Sequence, residues 1–179
     1  MNLVFFDLET QNLFQEVGGR GNIARLRLAC AVTYSTARGD FAVYWERDAQ
    51  ALIAELKSAD RVIGYNLFDF DYQVLKPYAP FERLDALPTL DMLQDLYHHL
   101  GFRPGLDAVA AATLGVSKTA DGVQSVKWFR RGELEKVAEY CKADVEITRR
   151  LFEFGREHGF VYYITRRGGK AKVAVDWRL

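Results

Sequence analysis

At 179 residues the chain is long enough for one α/β domain with a sizeable core and too short for two comfortable ones. With 49% apolar and 27% charged residues it has the composition of an ordinary globular protein, and no apolar stretch reaches the roughly 18–20 residues of a membrane span. A net charge of zero argues against a protein that coats nucleic acid nonspecifically.

The zero conceals an asymmetry. Residues 1–100 hold 9 lysines and arginines against 14 acids, whereas residues 101–179 hold 15 against 10. An acidic half joined to a basic half suits a phosphate-bearing substrate, although charges scattered over solvated faces give the same totals. The N-terminus lacks the basic-then-apolar layout of a secretion signal, so a cytoplasmic location is expected. Cys30 and Cys141 show no metal-type spacing and read as reduced packing residues.

In chain order, residues 3–7 (LVFFD) predict a first strand. The glycine-rich VGGRGN at 17–22 predicts a hairpin loop entering the strand-like LRLACAVTY at 26–34. DFAVYW at 40–45 follows a turn-like ARG as a third strand, which makes a meander. The pattern then alternates. AQALIAELKSA at 49–59 has helical spacing, RVIGY at 61–65 is a short buried strand, and FDYQVLKPY at 70–78 predicts a short helix ended near Pro77. LPTLDMLQDLYHHLG at 87–101 passes from strand to helix with Gly101 as its stop, and LDAVAAATLG at 106–115 predicts another short helix. Within 131–159 lies a long helix, with Leu134, Val137, Ala138, Cys141, Val145 and Leu151 at helical spacing. The tail at 161–177 has two β-rich arms around Arg167-Gly168-Gly169-Lys170, a hairpin pattern. The expected fold is α/β: one domain over 1–179, with a core of about 1–159 and a C-terminal hairpin at 161–177.

Three acidic spots stand out in this layout. Asp7 and Glu9 lie two apart, so if the first strand continues through Leu8 they share a face and can approach one metal ion. Clustered carboxylates repel one another, and a cation resolves that repulsion; taken alone, the same pair also reads as a turn residue and a solvated acid. After RVIGY comes NLFDFDYQVL from 66, which places a carboxylate in the crevice where a strand hands over to a helix. On the long helix, Tyr140 and Asp144 are four apart and share a face.

The motifs DLET at 7–10, YNLFDFD at 65–71 and YCKAD at 140–144 occur in the order found in the DEDD superfamily of 3′-to-5′ exonucleases, which this chain resembles over roughly residues 1–155. Glu139, not histidine, stands five before Asp144, so the chain resembles the tyrosine-bearing branch. The second motif is similar to that of the proofreading domains of family B DNA polymerases. The resemblance implies a ribonuclease H-like fold, with a mixed sheet of meander and parallel strands flanked by helices. It implies metal-dependent 3′-to-5′ hydrolysis of single-stranded or frayed nucleic acid, with DNA slightly favoured over RNA.

Two divalent ions, Mg²⁺ or Mn²⁺, are the implied cofactors, because oxygen-only ligands favour these over zinc. By resemblance, Asp7 bridges both ions, Glu9 and Asp144 complete one site, and Asp71 holds the second ion through water. Tyr140 orients the attacking water; its ordinary pKa of about 10 makes it a poor base at neutral pH. Asp69 also follows a phenylalanine, but the resemblance favours Asp71 and leaves Asp69 as a cap for the following helix. Thr10 and Asn66 are expected at the 3′-terminal nucleotide.

Lys118, Lys127, Arg130 and Arg131 are candidates for backbone phosphate contacts, and Asp91 reads as a helix cap that also has the option of supporting the site. Arg166, Arg167, Lys170 and Lys172 on the hairpin are candidates to grip the strand upstream of the cut. A helicase or polymerase partner is compatible with the resemblance. Two other readings stay open: a ribonuclease H-like endonuclease, and a nucleic-acid-binding or docking module.

Overall fold

A computed structural model describes residues 1–116, 122–165 and 167–178. Five strands form a mixed sheet: β1 (Leu3–Thr10), β2 (Leu28–Ser35), β3 (Asp40–Trp45), β4 (Arg61–Gly64) and β5 (Thr89–Asp91). Their order is β3-β2-β1-β4-β5, antiparallel through the meander and parallel from β1 to β4 to β5. Around it lie helices α1 (Ala49–Ser58), α2 (Tyr72–Leu75), α3 (Met92–Leu100), α4 (Leu106–Leu114), α5 (Gly122–Arg130) and α6 (Leu134–His158). A separate hairpin of β6 (Phe160–Ile164) and β7 (Lys170–Ala174) follows. This is the α/β, ribonuclease H-like architecture expected.

Strand alternation sorts the residues of β1 between two cores. Val4, Phe6 and Leu8 pack with Leu52, Ile53 and Leu56 of α1 and with Tyr72, Val74 and Leu75 of α2. Leu3 and Phe5 face the other way, into a core built from α6, α4 and the hairpin. The rings of Phe5 and Phe152 meet edge-on at 5.4 Å there. Both cysteines are free and buried in the sheet–α6 layer.

Several local expectations change. β1 runs three residues past Asp7, and the loop at 17–22 passes into a 3-10 turn over Arg20–Arg25. The helix expected at 70–78 starts earlier, as a π-turn over Leu67–Asp71, and closes as expected near Pro77, in a 3-10 turn over Lys76–Tyr78. Leu134, counted with the apolar face of α6, is 41% exposed because it begins the helix ahead of the sheet. Helix α5 is an addition; its Val123, Val126 and Arg130 have helical spacing, but its polar composition hides the period.

The C-terminal tail is built into the core rather than appended to it. Trp177 is buried, stacks on Phe152 with ring centroids 6.3 Å apart, and donates from Nε1 to Asp95 Oδ2 at 2.8 Å. Gly155 on α6 leaves room for it: a Cβ there would lie 2.3 Å from a ring carbon of Trp177. Gly155→Ala should therefore overpack this contact and cost about 1–3 kcal/mol, lowering Tm by roughly 2–4 °C per kcal/mol. A thermal melt indistinguishable from wild type would show that the tail does not dock here.

Candidate active site

The face of β1 that buries Leu3 and Phe5 presents Asp7 and Glu9 as its next two positions. Glu9 is only 8% exposed, and the strand register slips just beyond it, between Glu9 and Thr10. An apolar strand thus delivers two carboxylates to the end of its own core-facing surface.

Helix α6 lies across that surface. Val137, Cys141 and Val145 make its apolar stripe, which turns Tyr140 and Asp144 toward the same end of β1. Cys141 fixes the register: its Sγ lies 3.3 Å from the carbonyl oxygen of Asp7 and 3.6 Å from Asp7 Oδ2. Burial pushes the Cys141 thiol well up, helped by Cys30 and the Asp7 charge, so it stays protonated and donates. Tyr140 packs edge-on against Trp128 of α5, with centroids 6.2 Å apart.

Asp71 arrives from the turn after β4. Asn66 takes a left-handed conformation (φ 73°), which starts the π-turn over Leu67–Asp71 and carries Asp71 inward to 2% exposure. Asp91 braces this turn from the end of β5. Its carboxylate accepts N–H bonds from Asn66 (2.8 Å) and Phe68 (3.2 Å), while also capping α3 through Leu93 (3.0 Å) and Gln94 (3.3 Å). It is both a cap and a support.

A cavity of about 400 Å³ collects these groups: Asp7, Glu9, Thr10, Tyr140 and Asp144 line it, with Val123 and Val126 of α5 as an apolar wall. Thr10 Oγ1 donates to the Asn12 carbonyl at 3.0 Å. Asn66 lies elsewhere, in an adjoining cavity of about 680 Å³ with Asp69 and Arg103, and Phe70 lines both. Asp69 is not the helix cap expected of it: the helical turn already begins at Leu67, and its exposed carboxylate pairs with Arg103 at 2.9 Å. Arg103, which also donates to Asn66 Oδ1, has no motif around it and was not singled out from sequence.

Lys118 lies outside the described residues. Arg130 holds Glu16 at 2.6 Å, tying α5 to the loop after β1, while Lys127 is exposed. His99 sits 3.8 Å from Asp95 and His158 stacks on Phe154, consistent with surface and packing roles.

The charge pattern suits divalent cations. Asp71 is held well above the usual carboxylate range, by burial first and then by the charges of Asp7, Asp91 and Glu9. Its buried Oδ1 accepts no hydrogen bond among the described residues, an arrangement proteins seldom keep without a reason. Asp7, Glu9 and Cys141 place ligand atoms within 4.8 Å of one another. With the thiol protonated, the oxygens are the available donors, and a hard cation fits them.

The RNase H superfamily model matches residues 4–154, and the chain belongs to that superfamily. Membership supports a nuclease-type function. No curated protein matches. Among solved structures, the family B DNA polymerase from the hyperthermophilic archaeon Pyrobaculum calidifontis is similar in fold, with a TM-score of 0.64 and 19% identity. The similarity covers 87% of this chain and 24% of the polymerase chain, so the chain spans about a quarter of that protein's length. Among the described residues, no helix is long and apolar enough to cross a membrane.

The electrostatics yield a stability prediction. Because the folded-state pKa of Asp71 is raised, the folded protein holds a proton that the unfolded chain releases near pH 4, so metal-free stability falls as pH rises from there through the folded value. Asp71→Asn should remove this component and raise Tm in EDTA at pH 8, by roughly 2–4 °C per kcal/mol of relieved repulsion. Mn²⁺ should raise Tm of the wild type more at pH 8 than at pH 5. A folded Asp71→Asn protein that melts lower than wild type in EDTA would contradict this electrostatic account.

Proposed function

We propose that the chain is a metal-dependent 3′-to-5′ exonuclease of the tyrosine-bearing DEDD branch, acting as one domain over 1–179 on 3′ ends of single-stranded or frayed nucleic acid. The observation that carries the reading is the convergence of Asp7 and Glu9 from β1 with Tyr140 and Asp144 from α6 on one cavity, with Asp71 buried against the Asp7 charge. In a superfamily of nuclease type, that set matches the ligands and the tyrosine which the sequence motifs imply. DNA is the favoured substrate, in keeping with the resemblance to polymerase proofreading domains, and a polymerase or helicase is the proposed kind of partner.

Asp7, Glu9, Asp71 and Asp144 would hold two divalent ions, Mg²⁺ or Mn²⁺. When bound, such ions supply charge neutralisation at the phosphoryl oxygens, a more acidic water and help for the departing 3′ oxygen. The chain's own part is placement. Tyr140, packed edge-on against Trp128, lines the cavity, and its hydroxyl would serve there as a hydrogen-bonding guide for the attacking water. Val123 and Val126 give the cavity an apolar side. Thr10 sits where a terminal nucleotide would enter. Asn66 and Arg103, across Phe70, would meet the next part of the strand.

Incubation with Mn²⁺ and end-labelled oligonucleotides tests this reading. The expected products are mononucleotides released from the 3′ end, with a covalently closed circle left intact. Early release of a 5′ label as mononucleotide, or cutting of the circle, would favour the endonuclease or opposite-polarity reading.

Substitutions separate the roles. Asp7→Asn should abolish cleavage in a folded protein, and Tyr140→Phe should lower turnover substantially with little change in substrate binding. Asp71→Asn should reduce the rate by orders of magnitude, whereas Asp69→Asn, which alters only an exposed pair with Arg103, should cost little. The reverse ranking of the last two would place the second motif on the wrong acid.

A further inference from the structure

The superfamily match ends at residue 154, yet the hairpin beyond it has a chemistry of its own. Its two faces differ sharply. Val161 and Val173 are buried in the α6-side core, and Tyr162 is locked by its backbone: its N–H donates to Thr113 Oγ1 at 2.9 Å, while that hydroxyl donates to the Tyr162 carbonyl at 3.1 Å. The opposite face presents Phe160, Tyr162 and Ile164, paired across the hairpin with Ala174, Lys172 and Lys170.

On that outer face, cations lie on rings. Lys172 Nζ is 3.8 Å from the Phe160 centroid and 5.6 Å from that of Tyr162, and Lys170 Nζ is 4.0 Å from Tyr162. The two rings stand 5.3 Å apart, and the row continues onto Phe154 and His158 at the end of α6. Residues 160–175 carry four basic side chains and no acid, in a chain whose net charge is zero. A rigid sheet face that alternates part-exposed aromatic rings with lysines, and lacks any acid, matches the chemistry of a nucleic-acid strand with its bases splayed out: π-faces to stack and phosphates to neutralise.

The inner face of β6 adjoins the segment that carries Arg103. Tyr163, next to Tyr162, packs against Phe102 at 5.9 Å. The following residue, Arg103, lies on the cavity shared with Asn66 and Asp69, and Phe70 separates that cavity from the one holding Asp7 and Glu9.

We propose that the outer face of the β6–β7 hairpin is a single-strand nucleic-acid platform, where bases stack on Tyr162 and Phe160 while Lys170 and Lys172 swing from the rings to the phosphates. Placing this strand upstream of the cut rests on the exonuclease reading above; the platform itself does not. The ring–lysine contacts are weak at an exposed site, so a base can replace the cation on the ring while the cation moves to a phosphate. Both DNA and RNA offer the required chemistry.

The test is fluorescence anisotropy with labelled oligo(dT) and oligo(rU) of about 20 nucleotides, in EDTA so that binding is read without cleavage. The double variant Lys170→Ala/Lys172→Ala should lose affinity and flatten the plot of log K against log salt by roughly 0.7 per lost phosphate contact, about 1.4 for the pair. Tyr162→Leu, which keeps an apolar side chain on the strand, should weaken binding about tenfold with the salt slope unchanged. Folded variants with wild-type affinity and slope for both strands would overturn the platform and leave this face for packing or protein docking.

Activity separates the two proposals. The hairpin variants should raise KM on a long strand more than on a trinucleotide. A protein that binds strands through the hairpin but cleaves nothing with Mn²⁺ would sink the exonuclease reading and keep the platform. Cleavage that depends on Asp7 but is indifferent to the hairpin would do the opposite.

Discussion

The packing of α6 across the Leu3–Phe5 face of β1 is the contact on which the rest of the molecule depends. Phe5 against Phe152, with Val137, Cys141 and Val145 alongside, removes a large apolar area from water at roughly 25 cal/mol per Å². That gain draws the helix onto the strand. Because side chains alternate strictly along a strand, the residues after Phe5 on this face are Asp7 and Glu9, and they are carried under the helix with it. The same helical stripe that buries Val137 and Val145 turns Tyr140 and Asp144 toward them. Hydrophobic packing thus assembles a cluster of groups that would otherwise repel one another.

The molecule treats two of its buried acids differently. Asp91 receives four backbone N–H donors, so its charge is spread into the start of α3 and the turn that bears Asp71. Asp71, a few residues away in space, faces the charges of Asp7 and Glu9 with one buried oxygen accepting no hydrogen bond among the described residues. One carboxylate is hydrogen-bonded by the fold. The other keeps one buried oxygen without a hydrogen bond among the described residues, beside the charges that raise its pKa.

The site is enclosed by elements of different origin. The sheet and α6 belong to the region matched by the superfamily; α5 closes the cavity above Tyr140 through Val123 and Val126, and its Arg130 anchors the loop after β1 through Glu16. Beyond the matched region, the chain returns to the core: Trp177 slots over Gly155 and bonds Asp95. The hairpin is therefore packed against α4 and α6, which sets where its outer row of rings lies.

Much of this was legible along the chain, because it depends on local period and spacing. The strand at 3–7, the meander, the long helix, the hairpin and the order of the acidic motifs follow from alternation, helical spacing and turn glycines, which act over a few residues. So does the likeness of Asp7, Glu9, Asp71, Tyr140 and Asp144 to a known motif set. What only the tertiary structure decided involves partners distant in sequence. The turn that begins at Leu67 left Asp69 inside it, paired with Arg103, rather than at a cap; the double duty of Asp91 needed β4 and β5 side by side; Asn66 and Asp69 line a cavity that adjoins the one with Asp7 and Glu9. Helix α5 is short, nine residues, and packs against α6 and β1, partners distant in sequence from it or from one another. Sequence period records which face of an element is apolar, but not which distant side chain will meet it, and at this site that meeting sets the charge, exposure and hydrogen bonding of each acid.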